Sequence, residues 1–198
     1  MKPVIAFFDF DGTITRKDTL LEIIRFCKGD AALRIGLLLL SPALILMKLK
    51  LLSGQKGKQL LLQYFFRNMP ATEFQYQCTT FCKERLPAFI RDKALQQIRL
   101  HMEKGHQVVV VTASAEEWVK PWCDMLGIGC ISTLLEKKKG MITGHIYGIN
   151  CNGEEKVNRI RQRFDLATFG DIYAYGDTSG DKPMLQLAKF SFFREFED

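Results

Sequence analysis

The segment Val4-Ile-Ala-Phe-Phe8 places five apolar residues in a row and stops at Asp9. A strand that is apolar on both faces has no side to offer water, so it belongs in a sheet covered above and below. The later half of the chain supplies both sheet and cover. Val108 to Val111 is a run of four valines, and β-branched residues suit a pleated strand. Short strands are expected at Ile128–Ser132, Ile172–Tyr175 and Phe190–Phe193, with an extended segment at Met141–Tyr147. Helices are expected from Asp92 to Lys104, where Gly105 stops the run, and at Ala115–Leu126, Glu154–Phe164 and Asp181–Ala188. The alternation implies an α/β class: a Rossmann-like parallel sheet with helices on both faces.

Residues 16–87 break this rhythm, because everything in them reads as helix. Asp18 can cap a helix through about Cys27, which Gly29 ends, and Asp30 can cap the next. That helix runs into Ile35–Met47, 13 residues without a charge, where Pro42 is expected to kink or divide it. Further helices are expected at 55–66 and 72–85. The chain thus divides into a core, residues 1–15 and 88–198, and an all-helical insert, residues 16–87.

Charge is concentrated in that insert. The chain carries +6, but Arg16 to Pro70 holds ten Lys or Arg against three Asp or Glu, leaving the remainder at −1. A local positive field attracts phosphorylated substrates, nucleic acid or acidic lipid. With only Lys137-Lys138-Lys139 in sequence, which reads with Gly140 as an exposed turn, no nucleic-acid module is expected. The six cysteines form no C-x-x-C pair, and Cys78 and Cys82 at i, i+4 suit a packed helix face, as do Trp118 and Trp122. Buried reduced thiols fit a cytoplasmic setting, and no secretory pattern precedes the first strand.

Chemistry is expected where strands end, since open α/β sheets bind ligands at the C-terminal edge. Asp9 and Asp11 follow the first strand, Thr112 and Ser114 follow the valines, Lys156 opens a helix, and Asp177 and Asp181 follow a late strand. Carboxylates gathered in one crevice repel unless a cation neutralises them, and oxygen ligands without His or Cys suit Mg²⁺. Mg²⁺ binds phosphate oxygens, which makes a phosphoryl group the natural substrate. Thr112, Lys156 and backbone N–H groups can hold its other oxygens. A carboxylate two residues past the nucleophile can reach the leaving oxygen as general acid.

Asp9-x-Asp11-Gly12-Thr13, Thr112, Lys156 and Asp177-x3-Asp181, in this order, resemble the four motifs of the haloacid dehalogenase superfamily of phosphohydrolases. The insert after the first strand resembles that family's type 1 cap in its all-helical form, as in the phosphoserine phosphatase branch. The resemblance implies Asp9 as covalent nucleophile and Asp11 as acid and base. It implies Mg²⁺ held by Asp9, Asp177 and the backbone carbonyl of Asp11, with Asp181 behind. Gly12 and Thr13 would line the phosphate, with Asp18 at the substrate entrance. Ser114 would either touch phosphate or cap the helix from Ala115. Cys151-Asn-Gly-Glu-Glu-Lys156-Val and the long apolar cap helix resemble the bacterial group that includes phosphatidylglycerophosphatase C. Phosphoserine phosphatases carry Glu where this chain has Asp18, which counts against phosphoserine. A phospholipid head group, a soluble metabolite and transfer to an acceptor other than water all stay open, beside a non-catalytic membrane adaptor.

Residues 31–52 admit three readings: a cap core helix, a helix lying on a membrane, or a span. A bilayer needs about 20 apolar residues. In the second reading Lys48, Lys50, Lys56 and Lys58 face anionic lipid.

Overall fold

A computed structural model describes residues 2–49 and 51–197; Met1, Lys50 and Asp198 lie outside the described residues. Strands β1 (Ile5–Phe8), β2 (Gln107–Ala115), β3 (Gly129–Thr133), β6 (Ile172–Gly176) and β7 (Phe190–Phe193) form one sheet in the order β3-β2-β1-β6-β7. Every pairing in it is parallel. Side chains alternate across a strand. Ala6, Phe8, Val108 and Val110 therefore enter one apolar cluster, and Ile5, Phe7, Val109 and Val111 enter another on the opposite face. Helices α5 (Asp92–Glu103) and α6 (Glu116–Leu126) cover the first face, and α7 (Glu154–Arg163) and α8 (Lys182–Gln186) cover the second. Strand β1 is central, paired through Phe8 to Val110 on one side and to Tyr175 on the other. The chain runs from β1 to β2 and β3 on one side and crosses back to β6 and β7 on the other, so a crevice opens at the C-terminal end of β1, where Asp9 sits.

The insert folds as helices α1 (Thr19–Lys28), α2 (Asp30–Lys48), α3 (Gly54–Phe66) and α4 (Ala71–Glu84). Asp18 caps α1 by accepting from the Leu20 N–H at 2.9 Å. Asp30 does not cap α2; Gly29 occupies that position, and the Asp30 carboxylate accepts from Arg25 Nε at 2.7 Å. Nor does Pro42 divide α2. A proline leaves the carbonyl four residues back without its N–H donor, and here Ser41 Oγ donates to that carbonyl, Leu38 O, at 2.7 Å. Between β3 and α7, β4 (Leu135–Lys138) and β5 (Met141–Ile146) form an antiparallel hairpin. The expected lysine turn is smaller than the sequence implied: Lys137 and Lys138 belong to β4, and only Lys139 and Gly140 turn, both at positive φ. The hairpin pairs with the cap, since Ile142 exchanges backbone hydrogen bonds with Asn68 and Met69, and Ala71 donates to Gly140. Cys78, Cys82, Cys123 and Cys151 are buried, and all six thiols are free. Trp118 and Trp122 are buried on α6.

Candidate active site

The turn after β1 is built to aim acids in two directions. Ile14 and Thr15 donate to Phe10 O, and Gly12 donates to Thr15 O at 3.0 Å, closing a tight loop from Phe10 to Thr15. Gly12 has φ +88°, and a Cβ there would lie 2.2 Å from Asp177 Oδ2. Only glycine tolerates both conditions. Thr13 Oγ1 then donates to Asp177 Oδ1 at 2.8 Å, tying the first turn to the loop after β6.

Asp9, Asp177 and Asp181 converge, each with a carboxylate oxygen within 4.8 Å of the others. The buried Lys156 ammonium lies among them. It donates to Asp9 Oδ1, to Asp181 Oδ1 at 2.6 Å and to Val111 O at 2.8 Å, which uses all three of its protons. Asp181 Oδ2 accepts from the N–H groups of Asp177 and Thr178 and from Thr178 Oγ1. Burial pushes the Asp9 carboxyl up to about 7 although Lys156 pulls the other way. Burial also raises Asp177 against its bond from Thr13. In Asp181 burial is overcome by Lys156, and the group sits below the usual carboxylate range. Burial lowers Lys156 less than its two carboxylate partners raise it, so it stays charged. Three carboxylates around one ammonium leave a net charge of about −2 when all are ionised.

Asp11 faces the other way. Its Oδ1 accepts from the Thr19 N–H at 2.8 Å, its Oδ2 accepts from Ser114 Oγ, and it lies outside the acidic cluster. Burial, helped by the charge of Asp18, raises its pKa. Ser114 therefore caps no helix: β2 runs on to Ala115, and the hydroxyl holds Asp11 instead. Thr112 Oγ1 accepts from the Ser114 N–H at 3.0 Å, fixing the bend that presents it. Asp18 is exposed and remains engaged as the α1 cap.

The haloacid dehalogenase-like hydrolase model matches residues 6–186, which takes in all but the first residue of β1, the cap and every acid of the site. The chain belongs to the haloacid dehalogenase-like hydrolase family. Protein CicA of Caulobacter vibrioides is 34% identical over 199 residues, covering 98% of this chain and 87% of that protein. A Mycobacterium tuberculosis protein named as a probable phosphatase is 31% identical over 190 residues, and the chain spans 65% of its length. Among solved structures, a Bordetella pertussis protein of unknown function superposes with a TM-score of 0.82 at 22% identity, covering 96% of this chain and 89% of that one. A phosphoserine phosphatase holding a phospho-aspartyl intermediate analogue superposes at 0.69 with 20% identity, over 96% and 86%. These two likenesses show a shared fold.

Two groups in the site, Thr19 and Asn150, had no role in the sequence reading, and a third, Lys58, had a different one. Thr19 donates its N–H to Asp11, its hydroxyl pairs with Ser114 Oγ at 3.2 Å, and Trp118 Nε1 donates to that hydroxyl at 3.0 Å. Asn150 accepts from Thr133 Oγ1. Lys58, assigned above to a lipid-facing set, instead points inward from α3: its Nζ donates to Ala113 O at 2.7 Å and to Asn150 Oδ1 at 3.3 Å. Burial lowers the Lys58 pKa against the charges of Asp11, Asp18 and Asp9. A lysine surrounded by other basic residues in sequence carries no local sign of which way it points.

Proposed function

We propose that this hydrolase is a Mg²⁺-dependent phosphomonoesterase working through an aspartyl phosphate on Asp9. The observation that carries the reading is the convergence of the Asp9, Asp177 and Asp181 carboxylates, two of which, Asp9 and Asp181, share the Lys156 ammonium. All donors are hard oxygens and their charge exceeds what Lys156 neutralises, which fits Mg²⁺. Asp9 and Asp177 would hold the ion with Asp181 behind them. Bound there, Mg²⁺ would neutralise the carboxylates and draw a phosphoryl group against Asp9.

The remaining steps belong to the protein's own residues. Lys156 fixes Asp9 so that one oxygen faces the substrate phosphorus, and an Asp9 O–P bond forms as the ester P–O bond breaks. Asp11, whose raised pKa favours the protonated form, gives its proton to the leaving oxygen. Asp11 then takes a proton from water, whose oxygen attacks phosphorus and releases Asp9. Thr112 would meet a phosphoryl oxygen, Lys156 would meet another by giving up one of its present acceptors, and Lys58 would bring a cap cation to the anionic substrate. The phosphatase name borne by the mycobacterial relative supports this reading. The free cysteines agree with action on the cytoplasmic side.

The test is rapid acid quenching with a labelled aryl phosphate. Wild type should retain label in an alkali-labile acyl phosphate, lose turnover in EDTA and regain it with Mg²⁺. Asp9→Asn should fold, by circular dichroism, and retain no label. Turnover by the folded variant would refute the assignment.

A further inference from the structure

Helix α2 is apolar on both its inward and its outward side, unlike the amphipathic helices of a water-soluble surface. Its cap-facing side is Leu33 and Gly36, both buried, with Leu37, Leu40 and Leu44 partly buried against the same core, and Gly36 meets the ring of Phe65 so closely that a Cβ there would lie 2.2 Å from it. Its outward side carries Ile35, Leu38, Leu39, Pro42, Ile45, Leu46 and Leu49, all exposed. Those positions step by three or four and return to one face of the helix. Leu38 is 73% exposed and Leu39 62%, and Leu51, just beyond, is 74% exposed. Seven large apolar side chains in one stripe, Pro42 among them, exceed the scattered leucines of an ordinary surface.

Charge selects the occupant. From Ala31 to Pro70 the sequence has six basic residues and no acidic one. Arg34 and Lys48, both exposed, stand at the two ends of the stripe, and Lys56 is exposed on the next helix. A second copy of the chain laid antiparallel on the stripe would set Arg34 against Lys48, and the one acid of α2, Asp30, is already paired with Arg25. An anionic lipid surface instead accepts the leucines and attracts the cations.

The stripe is joined to the mouth of the site. The α2–α3 turn leads directly into the part of α3 that carries Gln55 and Lys58. Gln55 donates to Gly148 O and accepts from the Asn150 N–H, and the loop it holds exposes Tyr147 and Ile149, at 66% and 60%. We infer that α2 lies in the interface of an anionic bilayer and presents the site to a phosphomonoester borne on a lipid. This rests on the phosphatase reading for its substrate, but not for its surface. Helix α2 is 19 residues, about 28 Å at 1.5 Å per residue, so length alone would allow a span. Its packing against Tyr64 and Phe65 within the cap favours the interface instead.

The experiment is flotation of the full chain with vesicles of phosphatidylglycerol and phosphatidylcholine, or of phosphatidylcholine alone, beside turnover of a soluble aryl phosphate. The chain should float only with the acidic vesicles and leave them at high salt. Leu38→Gln/Leu39→Gln/Ile45→Gln should abolish flotation and keep aryl phosphatase activity, because these side chains already face solvent. Lys48→Gln/Lys56→Gln should weaken binding roughly 30-fold, about five-fold for each lysine. Equal binding to neutral vesicles, release by detergent but not salt, or concentration-dependent dimers lost in the leucine variant would each overturn the proposal. Flotation without aryl phosphate turnover would leave the surface standing and remove the substrate.

Discussion

Replacing Lys156 by Met tests the charge balance at the centre of the site. The side chain is 1% exposed and gives its three protons to Asp9, Asp181 and Val111 O. Methionine is of similar length, so little cavity forms, but two buried carboxylates lose their cation. Breaking a buried ion pair from one side costs about 3–5 kcal/mol. The Val111 carbonyl, left without its donor, adds about 1–3 kcal/mol. Part of this is relieved when Asp9, already pushed up to about 7 by burial, takes a proton. A loss of about 4 kcal/mol in metal-free buffer is therefore expected. Urea titration followed by tryptophan fluorescence measures it, since Trp118 and Trp122 are buried. Asp181→Asn keeps an oxygen for the Asp177 and Thr178 N–H groups while removing a charge. The double variant Lys156→Met/Asp181→Asn should accordingly recover at least about 1 kcal/mol of what the single variant lost. A single-variant loss below about 1 kcal/mol, or strictly additive losses in the double variant, would refute the claim that Lys156 is held by both carboxylates.

Gly12→Ala, with φ +88° and a Cβ 2.2 Å from Asp177 Oδ2, should displace Asp177; the Mg²⁺ needed for half-maximal activity, read by titration, should rise at least about tenfold. Lys58→Met should raise KM for anionic substrates more than it lowers kcat, which steady-state kinetics on two substrates of different charge will separate. His101 is buried against Tyr175 and His106, and burial, then the charges of His106 and Lys104, lowers its pKa from 6.5 to about 4. Its neutral form is favoured in the fold, so its contribution is complete above pH 6.5 and is lost as pH falls to about 4. Chemical denaturation across that window should show this loss, no more than roughly 2 kcal/mol after solvent screening, and His101→Gln should remove it.

The sheet was legible because its strands are apolar on both faces: β1 and the valines of β2 announce themselves without help from neighbours. The acids were legible for a related reason, since Asp9 and Asp177 follow those strands directly. What escaped was set by three-dimensional approach. β4 is Leu-Glu-Lys-Lys, whose charged end hid its pairing with β5. Thr19 reads as the first residue of a helix, and nothing local tells that its N–H is spent on Asp11 rather than on the cap. Ser114 is not the helix cap the sequence allowed, because β2 continues past it, and its hydroxyl donates to Asp11. The unbroken α2 turned on one hydroxyl, that of Ser41, beside a proline whose effect in isolation is well defined.

The central position of β1 also governs how the chain can be made. Its earliest sheet partner begins at Gln107, paired with Ile5, so 102 residues separate the two. At about 5–20 residues per second on the ribosome, roughly 5–20 s pass before β1 has any strand to join. During that interval the cap helices are the first segments able to bury apolar surface locally. β6, from the other side, arrives only at Ile172. Until β2 is made the nascent chain therefore carries β1 unpaired beside the exposed apolar face of α2, two surfaces that a chaperone would recognise.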